Sequence, residues 1–240
     1  MIDLEVLRAR FHGLDWRELE GQLDTCGYAT TPTLLSESEC ADIGALYARD
    51  DLFRKTVNMA RQSYGLGEYR YFAEPVPEPV ARIRETLYEP LARIANRWAE
   101  RLRERERYPL TFDAYRSVCE SNGQVHPTPL MLDYHQGGFN CLHQDVYGER
   151  AFPLQAAAML SRPGAEFQGG EFLLVEQRPR MQSRGEAVVL EQGAFIIFPN
   201  QIRPVAGGRG HYRVKVRHGV SRVREGHRRT LGIIFHDALK

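Results

Sequence analysis

At about residue 127 the spacing of apolar residues changes from the period of a helix to that of a strand, and this break constrains the fold more than any other feature of the chain. Beyond it, short apolar runs follow one another between turn signals: "PLMLDY", "CLHQDVY", "PLQAAAML", "GEFLLVEQ", "EAVVLEQG", "AFIIFP", "YRVKVRHGVSRV" and "RTLGIIFH". Many short strands in succession bury their apolar faces by closing or doubling the sheet. The pattern therefore predicts a mostly β chain with a double-stranded β-helix, the cupin-like jelly roll, over residues 126–240.

Residues 1–125 carry helical patterning instead and predict a support region packed on that core within one integrated domain. "DWRELEGQLDTCG" reads as an amphipathic helix closed by Gly27, and Ser36 with Glu39 three residues on forms a capping-box signature. "YATTPTLL" between them reads as a short strand. In "EPVARIRETLYEPLARIANRWAERLRERER" the apolar spacing is helical, with Pro90 expected to end one helix and start another. "FDAYRSVCESNG" predicts a further helix ending at Gly123.

Composition narrows the function classes. With 32 basic and 31 acidic residues the formal charge is +1, which argues against a uniformly positive surface for duplex DNA. Charges break up "MIDLEVLRARFHGLDW", and no apolar run approaches the roughly 18 residues a membrane span needs, so neither signal peptide nor membrane segment is expected. Cys26, Cys40, Cys119 and Cys141 lack CxxC spacing and read as reduced thiols of a cytoplasmic protein.

The chemistry-bearing residues lie in the C-terminal half. "YHQGGFNCLHQD" places His143 and Asp145 two positions apart, a weak motif until a third ligand is found. His218, on a later strand, completes two imidazoles and one carboxylate, a set suited to non-haem Fe(II) and O2; zinc takes the same donors. Ten residues on, Arg228 opens the final strand. In a strand, Arg228, Thr230 and Gly232 share one face, and Leu231, Ile233 and Phe235 the other. A guanidinium followed by a hydroxyl and then by no side chain makes a seat for a small carboxylate, such as a dicarboxylic 2-oxo acid whose other end chelates iron. A one-residue change of phase would put Arg229 there instead.

His143, Asp145, His218 and Arg228, with Tyr134 nine residues before His143, resemble the Fe(II)/2-oxoglutarate-dependent dioxygenase superfamily. The resemblance implies Fe(II) as metal, 2-oxoglutarate and O2 as cosubstrates, and Tyr134 as a further contact to 2-oxoglutarate. "LHQDVYGE", "GGEFLLVEQRPRMQSR", "RHGVSRVREGHRRTLGIIFHDA", "GEYRYFAEP" and "LARIANRW" are similar to a narrower bacterial family of oxygenases predicted to demethylate damaged DNA bases oxidatively. "YHQGGFNCLHQD" is spaced as in the alkylated-DNA demethylases, but those enzymes carry an asparagine where this chain has Leu132, and a more remote arginine run. The spacing from His218 to Arg228 is similar to that of prolyl-hydroxylase-type oxygenases.

The expected activity is thus oxidative decarboxylation of 2-oxoglutarate coupled to C–H hydroxylation of an unidentified substrate. Demethylation of alkylated DNA and a non-catalytic binding or sensing jelly roll are the alternatives. Tyr69, Tyr71 and Phe139 are candidate substrate contacts, whether for a flipped base, an amino acid or a peptide. The segment 203–229 is rich in arginine, which suggests either a nucleic-acid contact or simply the solvated side of exposed strands. His135, His211 and His227 read as loop or surface histidines, and His236, followed directly by Asp237, is not a second HxD. Gly169 and Gly170 are expected to turn the chain near the site mouth.

Overall fold

In the computed structural model, which describes residues 2–239, the first three helices begin where side chains satisfy their first amides. Asp3 caps α1 (Leu4–His12), Asp15 caps α2 (Trp16–Cys26), and Ser36 with Glu39 closes the capping box of α3 (Glu37–Ala45). Gly27 ends α2 in the left-handed conformation, and β1 (Ala29–Thr30) follows. Three further strands precede the long helix: β2 (Phe53–Asn58), β3 (Gly65–Leu66) and β4 (Glu68–Phe72). They escape the pattern because they are short, and β2 is an edge strand with charged side chains and little buried surface.

Pro90 does not divide the next helix: α4 runs from Glu78 to Arg101. A single buried stripe, including Leu87, Leu91, Ile94 and Trp98, continues on both sides of the proline, and tertiary burial outweighs the lost amide bond. Arg84 on the same helix is buried and pairs with Asp237 at 2.6 Å while donating to the carbonyls of Ile234 and Phe235. It thereby ties α4 to the end of the core. After α5 (Phe112–Ser121) the chain is almost wholly strand: β5 (Gln124–His126), β6 (Leu130–His135), β7 (Phe139–His143), β8 (Leu154–Met159), β9 (Phe167–Gly169) and β10 (Phe172–Gln177). β11 (Arg184–Val188), β12 (Phe195–Pro199), β13 (Ile202–Gly207), β14 (Gly210–Val220), β15 (Val223–Ile233) and β16 (Ala238–Leu239) complete it.

The larger sheet runs β1-β12-β8-β15-β6-β4-β2, with β9 also on β15; the smaller runs β11-β10-β14-β7-β3, with β13 on β14. All their pairings are antiparallel, as a jelly roll requires. Strand alternation splits the larger sheet into two faces. Met131, Phe195, Ile197, Leu231 and Ile233 pack into the cluster that contains the helices, whereas Tyr134, Ile196 and Phe198 pack with Leu174, Val214 and Val216 of the smaller sheet. The functional cavity lies between the sheets.

One ion pair inside this core has no surface role. Arg203 is fully buried and hydrogen-bonds Glu176, itself buried, and the carbonyl of Asp24 at 2.9 Å. Glu176→Gln would leave an uncompensated buried guanidinium. It is expected to cost about 3–5 kcal/mol, read as a lowered urea midpoint with unchanged m value.

Candidate active site

The final long strand sets the geometry. β15 pairs with β6 so that Arg228 lies opposite Tyr134, Thr230 opposite Leu132 and Gly232 opposite Leu130. Arg228, Thr230 and Gly232 all face a cavity of ≈ 390 Å³ between the sheets. Arg229 points to the other side, where its guanidinium meets Asp133 at 2.7 Å. Strand phase therefore selects Arg228 for the cavity.

The three ligand candidates meet in the same cavity. His218 of β14 and His143 of β7 are direct cross-strand partners, with ring centroids 4.3 Å apart. "CLHQDVY" is not a continuous strand: β7 ends at His143, and the chain turns so that Asp145 enters the cavity, its amide donating to Asn200 Oδ1 at 3.0 Å. Asp145 lies 3.5 Å from His143 Nε2 and 3.2 Å from His218 Nε2. Burial alone would raise the Asp145 pKa, but the hydrogen bond from His218 and the two imidazoles win and hold it well below the usual carboxylate range. Burial lowers the pKa of His218. The second nitrogen of His143, Nδ1, donates to the Cys141 carbonyl at 2.7 Å, which leaves the Nε2 lone pair, on the Asp145 side, free to ligate a metal.

Several residues that hold this cluster were not anticipated. Tyr147 donates to Asp145 Oδ1 at 2.7 Å, and Tyr71 donates to the Tyr147 hydroxyl at 3.0 Å. Phe198 and, behind it, Phe172 pack on one side of the His218 ring, at 4.7 and 6.0 Å between centroids. Tyr147 follows the HxD pair by two residues, and that proximity was the only available signal; Phe172, Phe198 and Asn200 carried none, since sheet pairing alone brings them in.

The donor set fits a divalent metal, and the surroundings of Arg228 fit an anion. Arg228 is 2% exposed, its guanidinium carbon stands 5.4 Å from the Tyr134 ring centroid, and among the described residues the guanidinium makes one hydrogen bond, a long one to Thr230 at 3.5 Å. No carboxylate pairs with it among the described residues. Burial brings its pKa down to about 10, so it is still a cation at neutral pH. Among the described residues, Arg228 Nε, the Tyr134 hydroxyl and His218 Nδ1 are buried without a hydrogen-bond partner. Unpaired polar groups of this kind are costly unless a ligand completes them. The Gly169–Gly170 turn, with φ of 77° and 63°, lies against this guanidinium, and a Cβ on Gly170 would come within 2.7 Å of Arg228 Cδ.

The remaining candidates are placed unevenly. Tyr69 and Tyr71 of β4 line the cavity, with ring centroids 5.4 Å apart. Phe139 does not: it begins β7 and packs beside Arg222, whose guanidinium is 5.6 Å from its ring. The arginine-rich segment disperses on folding. Arg203 goes to the core, Arg228 to the cavity and Arg229 to Asp133, while Arg213 and Arg224 approach Glu104 and Glu171 at 3.0 and 3.5 Å. Lys215 and Arg217 stand exposed on the outer face of β14.

His236 is buried behind the site, 5.9 Å from the Tyr147 ring, and accepts the Phe152 amide at Nδ1 over 3.1 Å. Burial holds its pKa down to about 4 against an ordinary 6.5, so it is neutral when folded and takes up a proton on unfolding anywhere between those values. The unfolded state thus binds more protons in that window. Stability contributed by this group is present above about pH 6.5, falls by roughly 3 kcal/mol as the pH drops to about 4, and then levels off. His236→Asn, which keeps an acceptor for the Phe152 amide, is expected to flatten this part of a stability profile measured by urea unfolding at stepped pH.

Jelly roll, two-imidazole and one-carboxylate cluster and buried unpaired arginine together define the Fe(II)- and 2-oxoglutarate-dependent class of oxygenases. Residues 67–238 match the family described as "Oxygenase, catalysing oxidative methylation of damaged DNA". Two uncharacterised proteins from two strains of Mycobacterium tuberculosis are each 45% identical over 167 residues, which cover 70% of this chain and 72% of theirs. The chain belongs to this oxygenase family. Among solved structures, a prolyl-4-hydroxylase from Pseudomonas putida is similar with a TM-score of 0.54 at 15% identity, over 92% of this chain and 98% of that one. A Trichoplax adhaerens prolyl hydroxylase, in complex with a hypoxia inducible factor peptide, gives 0.56 at 13% identity over 99% and 94%. The epimerase SnoN from nogalamycin biosynthesis gives 0.56 at 13% identity over 91% and 81%. At such identities the likeness concerns the fold alone, and one fold serves hydroxylases and an epimerase. No helix is long and apolar enough to cross a membrane.

Proposed function

We propose that His143, Asp145 and His218 hold Fe(II), and that Arg228, Thr230 and Tyr134 hold the distal carboxylate of 2-oxoglutarate. The observation that carries this reading is the buried Arg228 guanidinium, without a carboxylate partner among the described residues, in the same cavity as the three ligand candidates. The chemistry supplied by a bound iron is O2-dependent oxidative decarboxylation of 2-oxoglutarate to succinate, coupled to hydroxylation of a substrate C–H bond. Tyr147 fixes the Asp145 carboxylate, the Cys141 carbonyl fixes the His143 tautomer, and Phe172, Phe198 and Ile196 keep bulk water from the shared cavity. Tyr64, Tyr69 and Tyr71 offer a neutral aromatic surface at the mouth, which suits an uncharged portion of the substrate.

Succinate release from 2-oxoglutarate with Fe(II) and O2 tests the reading. No succinate under any substrate condition would refute it and leave a non-catalytic binding module. A damaged nucleobase is the second reading, favoured by the family's description and by tyrosines able to stack on a flipped base. If the hydroxylated carbon is an N-methyl group, formaldehyde leaves and the net result is demethylation. Lys215 and Arg217 are the side chains of the basic segment best placed for phosphate contact. Methylated single-stranded DNA that neither binds at low salt nor stimulates succinate release, when peptides do, would exclude it. All four cysteines are free thiols, which supports a cytoplasmic setting.

A further inference from the structure

The outer face of the larger sheet repeats the architecture of the ligand cluster. His143 and His218 are cross-strand partners on antiparallel strands, with a carboxylate two residues from one of them. On the opposite side of the β6–β15 pair, His135 and His227 are likewise direct partners, and Asp133 lies two residues before His135. Their rings are parallel to within 2° at 4.4 Å between centroids. His227 Nε2 is 2.7 Å from Asp133 Oδ1, and His135 Nε2 is 3.3 Å from Oδ2, so both imidazoles aim the same nitrogen at one carboxylate. All three donor atoms lie within 4.8 Å of one another.

We propose that Asp133, His135 and His227 form a second divalent metal site, of the zinc type. Two imidazoles and a carboxylate are borderline donors that zinc accepts at about 2.0–2.2 Å, and small rotations of the rings close the present spacing. Asp133 Oδ1 is already occupied by Arg229, whose Nε donates to it at 2.7 Å, so the ion takes Oδ2 and leaves that pair intact. The Arg229 charge lowers the affinity relative to a site without it. Access is open, because the His135 side chain is 77% exposed while Asp133 is 8% exposed. The fourth position, open to solvent on that side, is one a water would take. The ion joins β6 to β15 at the point where Tyr134 and Arg228 leave towards the cavity, so it braces the strands that carry both.

Elemental analysis after equilibrium dialysis against zinc, done on the full chain, tests this. Wild type is expected to retain two zinc ions, His135→Ala/His227→Ala one, and His143→Ala/His218→Ala one. Because Asp133 and Arg229 are untouched, the first variant keeps its ion pair; the single His135→Ala, at an exposed position, serves if the double variant fails to fold, and is expected to lose the same ion. Retention of wild-type stoichiometry by a folded variant lacking these histidines overturns the proposal. Failure of the cavity site shows separately, as no loss in His143→Ala/His218→Ala.

Discussion

Arg228→Met is expected to weaken 2-oxoglutarate binding about 10²–10³-fold, measured as the KM for 2-oxoglutarate in succinate release and as Kd by anaerobic calorimetry. The magnitude follows from removing one partner of a buried, charge-assisted carboxylate contact, worth about 3–4 kcal/mol. The ligand-free chain should lose no stability, because among the described residues no carboxylate pairs with the buried guanidinium and methionine removes that burden. Binding lost with thermal stability unchanged or raised is therefore the expected combination. Arg229→Met serves as the contrast: it breaks the pair with Asp133 on the far side of the sheet and should lower stability while leaving 2-oxoglutarate affinity within a few fold. Equal affinity in Arg228→Met and wild type would overturn the assignment.

His143→Ala, Asp145→Ala and His218→Ala are each expected to reduce Fe(II)-dependent succinate release by at least about 10³-fold, with iron content after anaerobic dialysis falling in parallel. Three donors leave no redundancy. The effects should not add, since any single loss disables the same centre. His218 is the most telling of the three, because it is almost wholly buried and packs against Phe198 and Phe172. Its replacement by alanine also opens a cavity, so His218→Gln, closer in volume, separates lost ligation from lost packing. Turnover that survives His143→Ala would place the metal elsewhere.

Much of the fold was legible because it depends on local periodicity. The switch from helical to strand spacing marks the jelly roll, and Ser36, Glu39 and Gly27 terminate helices through their own side chains or backbone freedom. The failures have specific causes. Pro90 stays within α4 because buried residues on both sides hold the helix, and β4 is visible only as a partner of β6, and β2 only as a partner of β4. "CLHQDVY" breaks at His143 because Asn200, distant in sequence, receives the Asp145 amide.

The chain order by itself determined the ligand types and the two alternating faces of the last strand, but not which face, that of Arg228 or that of Arg229, meets the cavity. HxD, a distal histidine and an arginine with Thr230 and Gly232 at alternate positions are one-dimensional facts, and strand alternation makes them faces. The tertiary structure decided which of these meet. Cross-strand register puts His143 against His218 and Arg228 against Tyr134, excludes Phe139, and spreads the arginines of 203–229 among core, cavity and surface. Register and burial depend on hydrogen bonds between segments far apart in the chain, so no local pattern encodes them.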